Sequence, residues 1–591
     1  MNSRSCLGFL GLLPTICCLC LVVHLTAPAV AQAEKDVDGL EELLPHHETL
    51  TEKLIWLGRE HLRPGLDRVT DPPPAGPLRN CAEWEPCTGV LIRYPLGLPY
   101  QLLRDLDDQV MLHVIVSSSY LSTAQTNLAA NGVDMDRVQF LVRANDSIWT
   151  RDYGPWFVFD GDGVLSIIDH TYNRPWRPND NLIPIYFGQQ QGIPVFSHDM
   201  YHTGGNYMTD GAHISSSTRL VYDEALSHNG MTESQVDQLM LDYYGIQIYQ
   251  VLDYIESGGI HHIDTWAKFL DEETVLLKEV WSSHWTYGAL EDRAVLLASL
   301  PASTGRNYQV HRVYCHNIGG NYPASYTNSL ILNDHIYVPL FDNATYDNQA
   351  LAAYQAAAPG YQVHGYQYSG WLTDDALHCR AKGMMDTGML RVGHVPLRDP
   401  APGDVTITAH VRAHSNTTVT DVDLFFRRDG GDWFSLPMTA TAADSFSATI
   451  PAPVRNGVTT DYYILAADAS GRTAGMPRVA PAHWYSFSQV ITAVTSALES
   501  PVIVHGNHPN PFNPSTTFQF ELRRQARVDL EVLDLRGRVV RRLLAGERHA
   551  GVNQVVWDGR DDRGHSLASG VYTFRLRALG IQYTRPVTLV K

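Results

Sequence analysis

The chain has 591 residues, 44% of them hydrophobic and 18% charged, with a formal net charge of −19. This is too long for one core, so about three domains are expected, and the composition excludes a disordered or fibrous chain. The acidic balance argues against nucleic-acid binding and suits a cationic substrate.

Residues 1–33 read as a secretory signal: Arg4 gives the positive start, Cys6 to Val23 an apolar run, and Ala29-Val30-Ala31 or Ala31-Gln32-Ala33 a small-residue cleavage site. No later stretch reaches transmembrane length, so no transmembrane segment is expected in the mature chain. Four of the eight cysteines (Cys6, Cys17, Cys18, Cys20) fall in the signal. Cys81, Cys87, Cys315 and Cys379 remain, too few for a disulfide scaffold. Cys81 and Cys87 are near enough in sequence to pair, which would leave Cys315 and Cys379 as thiols. Residues 34–77 combine helical spacing (Leu40, Leu43, Leu44, Leu50, Leu54, Leu57) with the linker Asp71-Pro72-Pro73-Pro74-Ala75-Gly76-Pro77. They read as a pro-segment or a helix packed on the next domain.

From residue 78 to 396 strands and helices alternate, as in an α/β domain. Gly89–Tyr94, Gln109–Val116, Ile246–Leu252 and Thr274–Leu277 read as strands, and Ser122–Asn131 and Ser234–Tyr244 as helices. Residues 397–492 change to period-two alternation, with Asp429-Gly430-Gly431-Asp432 as a hairpin turn, and predict an immunoglobulin- or fibronectin-like β-sandwich. Residues 500–591 predict a second all-β sandwich whose edge strand runs from Thr584 to the end.

The chemistry concentrates in four segments. Asn145–Trp156 holds two carboxylates, an arginine and three aromatics, and Gly154-Pro155 forces a turn that sets the charges at a strand end. A carboxylate beside an aromatic plane, here Asp152 and Trp149, suits a flat delocalised cation such as guanidinium. In Gly258–Trp266, His262 and Asp264 share one face if the stretch is extended. The adjacent His261 and His262 would point to opposite faces, so a metal site with Asp264 is a poor fit, and no metal or other cofactor is expected. Gly319–Ser329 carries two amides, Asn321 after a pair of glycines that suit a tight turn and Asn328 just before a strand. In Ala376–Gly383, Cys379 stands among His378, Arg380 and Lys382, and cationic neighbours favour a thiolate. Cys315, in a strand-like run, reads as structural.

Trp149-Thr150-Arg151-Asp152-Tyr153-Gly154-Pro155 resembles the signature of bacterial-type peptidylarginine deiminases and their agmatine deiminase relatives, over about residues 80–390, and the other three segments follow in that family's order. The resemblance implies the pentein fold, a five-fold pseudosymmetric α/β propeller of ββαβ-like units with the site at its centre. It implies Cys379 as nucleophile, His262 as general acid/base, Asp152 and Asp264 as guanidinium-binding carboxylates and Asn328 as the site amide. Thr203-Gly204-Gly205-Asn206 resembles a Gly-Gly-Asn turn of the family, although agmatine deiminases carry an acidic residue at Thr203. Arg174 and Arg177, in the loop Tyr172–Asp180, correspond to the region that binds a substrate α-carboxylate. Asn510-Pro511-Phe512-Asn513-Pro514-Ser515-Thr516 and the strands after it resemble the C-terminal sorting domain of type IX secretion cargo, which implies that machinery as a partner and a secreted or cell-surface location.

The expected activity is hydrolysis of peptidyl-arginine to citrulline and ammonia, with arginine-bearing peptides or proteins as partners. An agmatine deiminase-like hydrolase and a catalytically inactive arginine-peptide-binding module are the alternatives; a metallohydrolase ranks below both.

Overall fold

The computed structural model describes residues 48–57, 70–414, 417–453, 457–489 and 501–591; the signal-like residues 1–33 and Leu40, Leu43 and Leu44 lie outside them. Within residues 79–385 the strands form five small sheets built to one pattern. Trp156–Phe159 pairs antiparallel with Leu165–Tyr172, which pairs parallel with Val195–His202. The pattern recurs in Met208–Thr209, Ile214–Thr218 and Ile248–Leu252, in Ala267–Phe269, Thr274–Glu279 and Gln309–Tyr314, and in Leu330–Leu332, His335–Leu340 and Gln362–Gln367. The fifth unit is shared by the two ends of the domain: Lys382–Met385 pairs antiparallel with Cys87–Arg93, which pairs parallel with Met111–Val116.

Each parallel pair needs a crossover, and a helix supplies it: Tyr100–Asp107, Ile183–Gln191, Glu233–Tyr244, Tyr287–Ser299 and Ala344–Ala357. Helix covering one face and the domain interior the other explains why central strands such as Met111–Val116 are almost continuously buried. Helix ends are set locally. Glu233–Tyr244 starts with a Thr232/Gln235 capping box and stops at Gly245, whose φ of 71° is the left-handed conformation glycine adopts freely.

Predicted strands and helices in this region are present with ends moved by no more than two residues; the helix expected at Ser122–Asn131 is Leu121–Ala130. The segment Gly258–Trp266 is corrected. It is not extended through His262 and Asp264, because His261 turns the chain at φ 57° and Ile263–Thr265 forms one turn of 3-10 helix.

The next domain begins earlier than residue 397. Leu390–Gly393 already pairs with Val405–Ala413 in the first sheet of a β-sandwich, because alternate side chains of this short strand face the sandwich core. The predicted turn at Asp429 joins Val419–Arg428 to Phe434–Pro437, with Asp429 and Gly430 both at positive φ. A second sandwich spans Val502–Leu589, where Ile581–Leu589 pairs with Gly570–Ala578 at the edge of a four-stranded sheet. No described helix is long and apolar enough to cross a membrane.

Candidate active site

Each of the five units is entered through a short turn immediately before its first strand. These turns are Thr150–Tyr153, Gly204–Asn206, Ile263–Thr265, the Ser325–Asn328 turn and His378–Arg380. They are joined in a closed circuit. Gly205 N–H donates to Asp152 Oδ1 at 3.2 Å, Ile263 N–H to Asn206 Oδ1 at 3.2 Å, and the Thr327 hydroxyl to the Thr265 carbonyl at 3.0 Å. Cys379 N–H donates to Asn328 Oδ1 at 3.3 Å, and Arg151 Nε to the His378 carbonyl at 3.3 Å, which returns to the first turn. No sheet closes on itself among the described residues, so hydrogen bonds between turns hold the units in register.

The circuit brings the candidate residues together. A Cβ on Gly205 would lie 2.6 Å from His262 Nδ1, 2.8 Å from Asp152 Oδ1 and 3.1 Å from Asp264 Oδ2, so these three groups converge on one point. His262 Nδ1 is 3.5 Å from Asp152 Oδ1. Cys379 Sγ lies 3.6 Å from Asp264 Oδ2 and accepts from Asn328 Nδ2 at 3.3 Å. Asn328 is held in turn, because its Oδ1 also accepts the Ala376 N–H at 3.0 Å. Asn321, the competing amide, is exposed on a turn at φ 66° and is not part of this cluster. Asp152, His262, Asp264, Asn328 and Cys379 are all fully buried.

Electrostatics follow from that burial. Desolvation, opposed by Arg174 and reinforced by Asp264, pushes the Asp152 carboxyl up to about 7. Asp264 suffers the same burial, but the His378 hydrogen bond and charge and His262 hold it below the usual carboxylate range. The Cys379 thiol is driven well above its usual range by burial and then by Asp264, Asp375 and Asp152. The cationic neighbours in sequence do not offset this. Arg380 is turned toward Asp375 and the Gly97 carbonyl, and Lys382 packs 3.8 Å from the centre of the Trp156 ring. The cluster around Cys379 is therefore rich in acidic groups, with Asp152, Asp264 and Asp375 all raising the cost of ionising the thiol.

The remaining predicted residues lie close by with partners of their own. Trp149 is buried, with the Arg380 guanidinium 5.6 Å from its ring centre. Arg174 is nearly buried, and its charge opposes the rise to about 7 that burial imposes on both the Asp152 and Glu224 carboxyls. Arg177 is fully buried and donates through Nε to Glu52 at 2.8 Å, on the helix Leu50–Trp56. Cys81, Cys87 and Cys315 are free buried thiols.

Two supporting residues take roles the sequence did not assign: His378, read there only as a cationic neighbour of Cys379, and Glu83. His378 Nδ1 meets Asp264 Oδ2 at 2.8 Å, and its Nε2 meets Glu83 Oε2 at 2.8 Å. Burial, Arg151 and Lys268 push the imidazolium toward losing its proton. Glu83 and Asp264, both held below the usual carboxylate range, oppose that, since a carboxylate on each ring nitrogen requires both nitrogens to donate. Glu83 precedes His378 by 295 positions, and only the fold reveals the pairing. Among the described residues no group of three or more His, Cys, Asp or Glu is arranged to hold a metal ion.

The family model for Porphyromonas-type peptidyl-arginine deiminases matches residues 79–382, and that for the FlgD Ig-like domain matches residues 508–580. Agmatine deiminase of Medicago truncatula is 24% identical over 310 residues, covering 44% of this chain and 81% of that protein. Solved structures of agmatine deiminase from Enterococcus faecalis (21% identity, TM-score 0.46) and C. jejuni (17%, TM-score 0.43) each cover 52% of this chain and 96% of theirs. The domain match spans just over half of the chain, and with the relatives it places the protein among guanidino-modifying deiminases, hydrolases of C–N bonds; the chain belongs to the Porphyromonas-type peptidyl-arginine deiminase family.

Proposed function

We propose that the protein hydrolyses the guanidinium of peptidyl-arginine, with a free C-terminal arginine preferred, to citrulline and ammonia through a covalent Cys379 intermediate. The observation that carries this reading is the convergence of His262, Asp152 and Asp264 on one point beside the Cys379 thiol. The two carboxylates accept the guanidinium N–H groups. The bound cation lowers the cost of ionising Cys379, whose proton passes to His262. Sγ then bonds to the guanidinium carbon, His262 returns the proton to the departing nitrogen, and ammonia leaves. Water, deprotonated by His262, attacks the thiouronium carbon, and Sγ departs to leave the ureido group. Asn328 holds Sγ in line for the attack.

Arg174 and Arg177 favour a substrate with an α-carboxylate, which agmatine lacks. The second reading, agmatine hydrolysis, is favoured by the name of the Medicago relative. In our reading the five units are set as the propeller of a pentein. Residues 1–33 and the last sandwich serve export through a type IX route to the cell surface or medium.

The test is citrulline formation on a peptide ending in free arginine, beside its C-amidated twin, agmatine and a Cys379→Ala variant. Turnover of the free-carboxylate peptide, lost in the variant, is expected. Turnover of agmatine alone would replace the peptide reading, and binding of the peptide with no ammonia from any substrate would leave an arginine-binding module.

A further inference from the structure

A second cluster of charge lies behind the circuit of turns, and the deiminase chemistry does not use it. A small cavity of about 20 Å³ is lined by Glu83, Trp84, Arg151, Trp156, Lys268 and Lys382 among others. The space holds one water or one monatomic ion.

Its polar lining is unbalanced. Glu83 is the single carboxylate, against Arg151, Lys268 and Lys382, and both of its oxygens are engaged. Oε1 accepts Lys268 Nζ at 2.7 Å and the Ile331 N–H at 2.9 Å, and Oε2 faces His378 Nε2 at 2.8 Å and Arg151 at 3.6 Å. Donors are in surplus. Arg151 Nη2 and the indole N–H groups of Trp84 and Trp156 are buried without a hydrogen-bond acceptor among the described residues. Lys382, 3% exposed, has its ammonium 3.8 Å from the Trp156 ring centre, and no carboxylate among the described residues lies at ion-pair distance from it. Burial, then Arg151, lowers the two lysines, Lys268 to about 8 and Lys382 to about 7. Three basic side chains against one committed carboxylate, with orphaned donors and with the Tyr207 and Thr209 hydroxyls as the other polar lining, is the converse of the acid-rich cluster around Cys379. Buried donors and cations of this kind are relieved by an acceptor that is anionic, small and dry-fitting.

We propose that this cavity is a binding site for a single small monovalent anion of the halide class, chloride being the probe of matching size. The anion would lie against Lys382 and Arg151 and favour the charged form of Lys382. Glu83 then stays committed to Lys268 and His378, and His378 to Asp264, which ties the anion to the posture of the catalytic carboxylate without placing it in the reaction.

The test uses the full chain. Crystals soaked in sodium bromide, with data at the bromine absorption edge, are expected to show an anomalous peak inside the cavity. Thermal unfolding in chloride is expected to show a saturable rise of about 2–4 °C over gluconate at matched ionic strength, and Lys382→Met is expected to abolish the difference. If that variant does not fold, the bromide peak in the parent protein decides. A cavity that holds water beside a neutral Lys382 would give no peak and equal midpoints in both salts, and either result overturns the proposal.

Discussion

Gly205 offers the sharpest probe of the site, because it replaces no functional group. Its φ lies outside the left-handed region, so alanine meets no backbone penalty there. The added methyl, however, would lie 2.6 Å from His262 Nδ1 and 2.8 Å from Asp152 Oδ1, well inside van der Waals contact. Those atoms must retreat by roughly 0.5–1 Å, and the methyl also fills the point on which both carboxylates aim. A misplacement of about 1 Å costs on the order of 10²-fold in rate. Loss of one of the guanidinium's charge-assisted hydrogen bonds adds about 1.5–3 kcal/mol. Together they predict a fall in kcat/KM of about 10³-fold or more, or about 4 kcal/mol, for a stability cost below about 2 kcal/mol. Citrulline release and thermal unfolding would be measured together on Gly205→Ala. Gly204→Ala is the contrast, since its Cβ would collide with the Arg151 carbonyl and should destabilise the fold itself. A Gly205→Ala enzyme within about fivefold of the parent at an unchanged midpoint would refute the convergence as the binding point.

The other expectations are briefer. Asn328→Ala should lower kcat by about 10–100-fold with KM within threefold, and cost about 1–3 kcal/mol in stability by orphaning the Ala376 and Cys379 N–H groups, read by steady-state kinetics and denaturation. Binding of an arginine peptide to Cys379→Ala should tighten by up to about tenfold per pH unit as pH rises toward 7 and then level off, because the cation favours ionised Asp152, whose folded value is raised to about 7; calorimetry showing a flat profile would contradict it. The same raised value means that ionised Asp152 opposes folding. Its stability term is favourable at acid pH and is lost as pH climbs from about 4 to 7, and Asp152→Asn should remove that slope. Because Glu52 already occupies Arg177, Glu52→Gln should lower KM for free-carboxylate peptides by about fivefold and leave the amidated twin unchanged.

The alternating architecture was legible because short β-branched runs and amphipathic helices carry their own periods, and both sandwiches because period two changes texture at residue 397 and beyond. The site residues were legible because Trp149–Pro155 and the later segments are compact in sequence. What pattern could not supply was geometry between distant segments. Extended backbone was the natural reading of His262 and Asp264, yet His261 at positive φ breaks the strand, and the pair reaches the site from a helical turn instead. The neighbours of Cys379 looked like a cationic environment, but in the fold Arg380 belongs to Asp375 and Lys382 to Trp156. Glu83 carries no local signature, and its pairing with His378 exists only because Glu83 sits just ahead of Cys87–Arg93, the strand with which Lys382–Met385 pairs.

Why the turns are helical follows from what each must do. In one turn of α or 3-10 helix, successive residues diverge by about 100–120°, so neighbours in sequence reach different partners. Asp152 turns to Gly205 and His262, while Arg151 turns to His378 and Glu83. Cys379 turns to Asn328, while His378 bridges Asp264 and Glu83. Repeated around the circuit, this divergence separates an acidic cluster that receives a cation from a basic cluster behind it, with His378 linking the two through both ring nitrogens. In the proposed reaction, the negative surplus that raises the Cys379 thiol is the same surplus that an entering guanidinium would neutralise. The thiol would thereby be activated by the cation it attacks, which ties the choice of substrate to the choice of nucleophile.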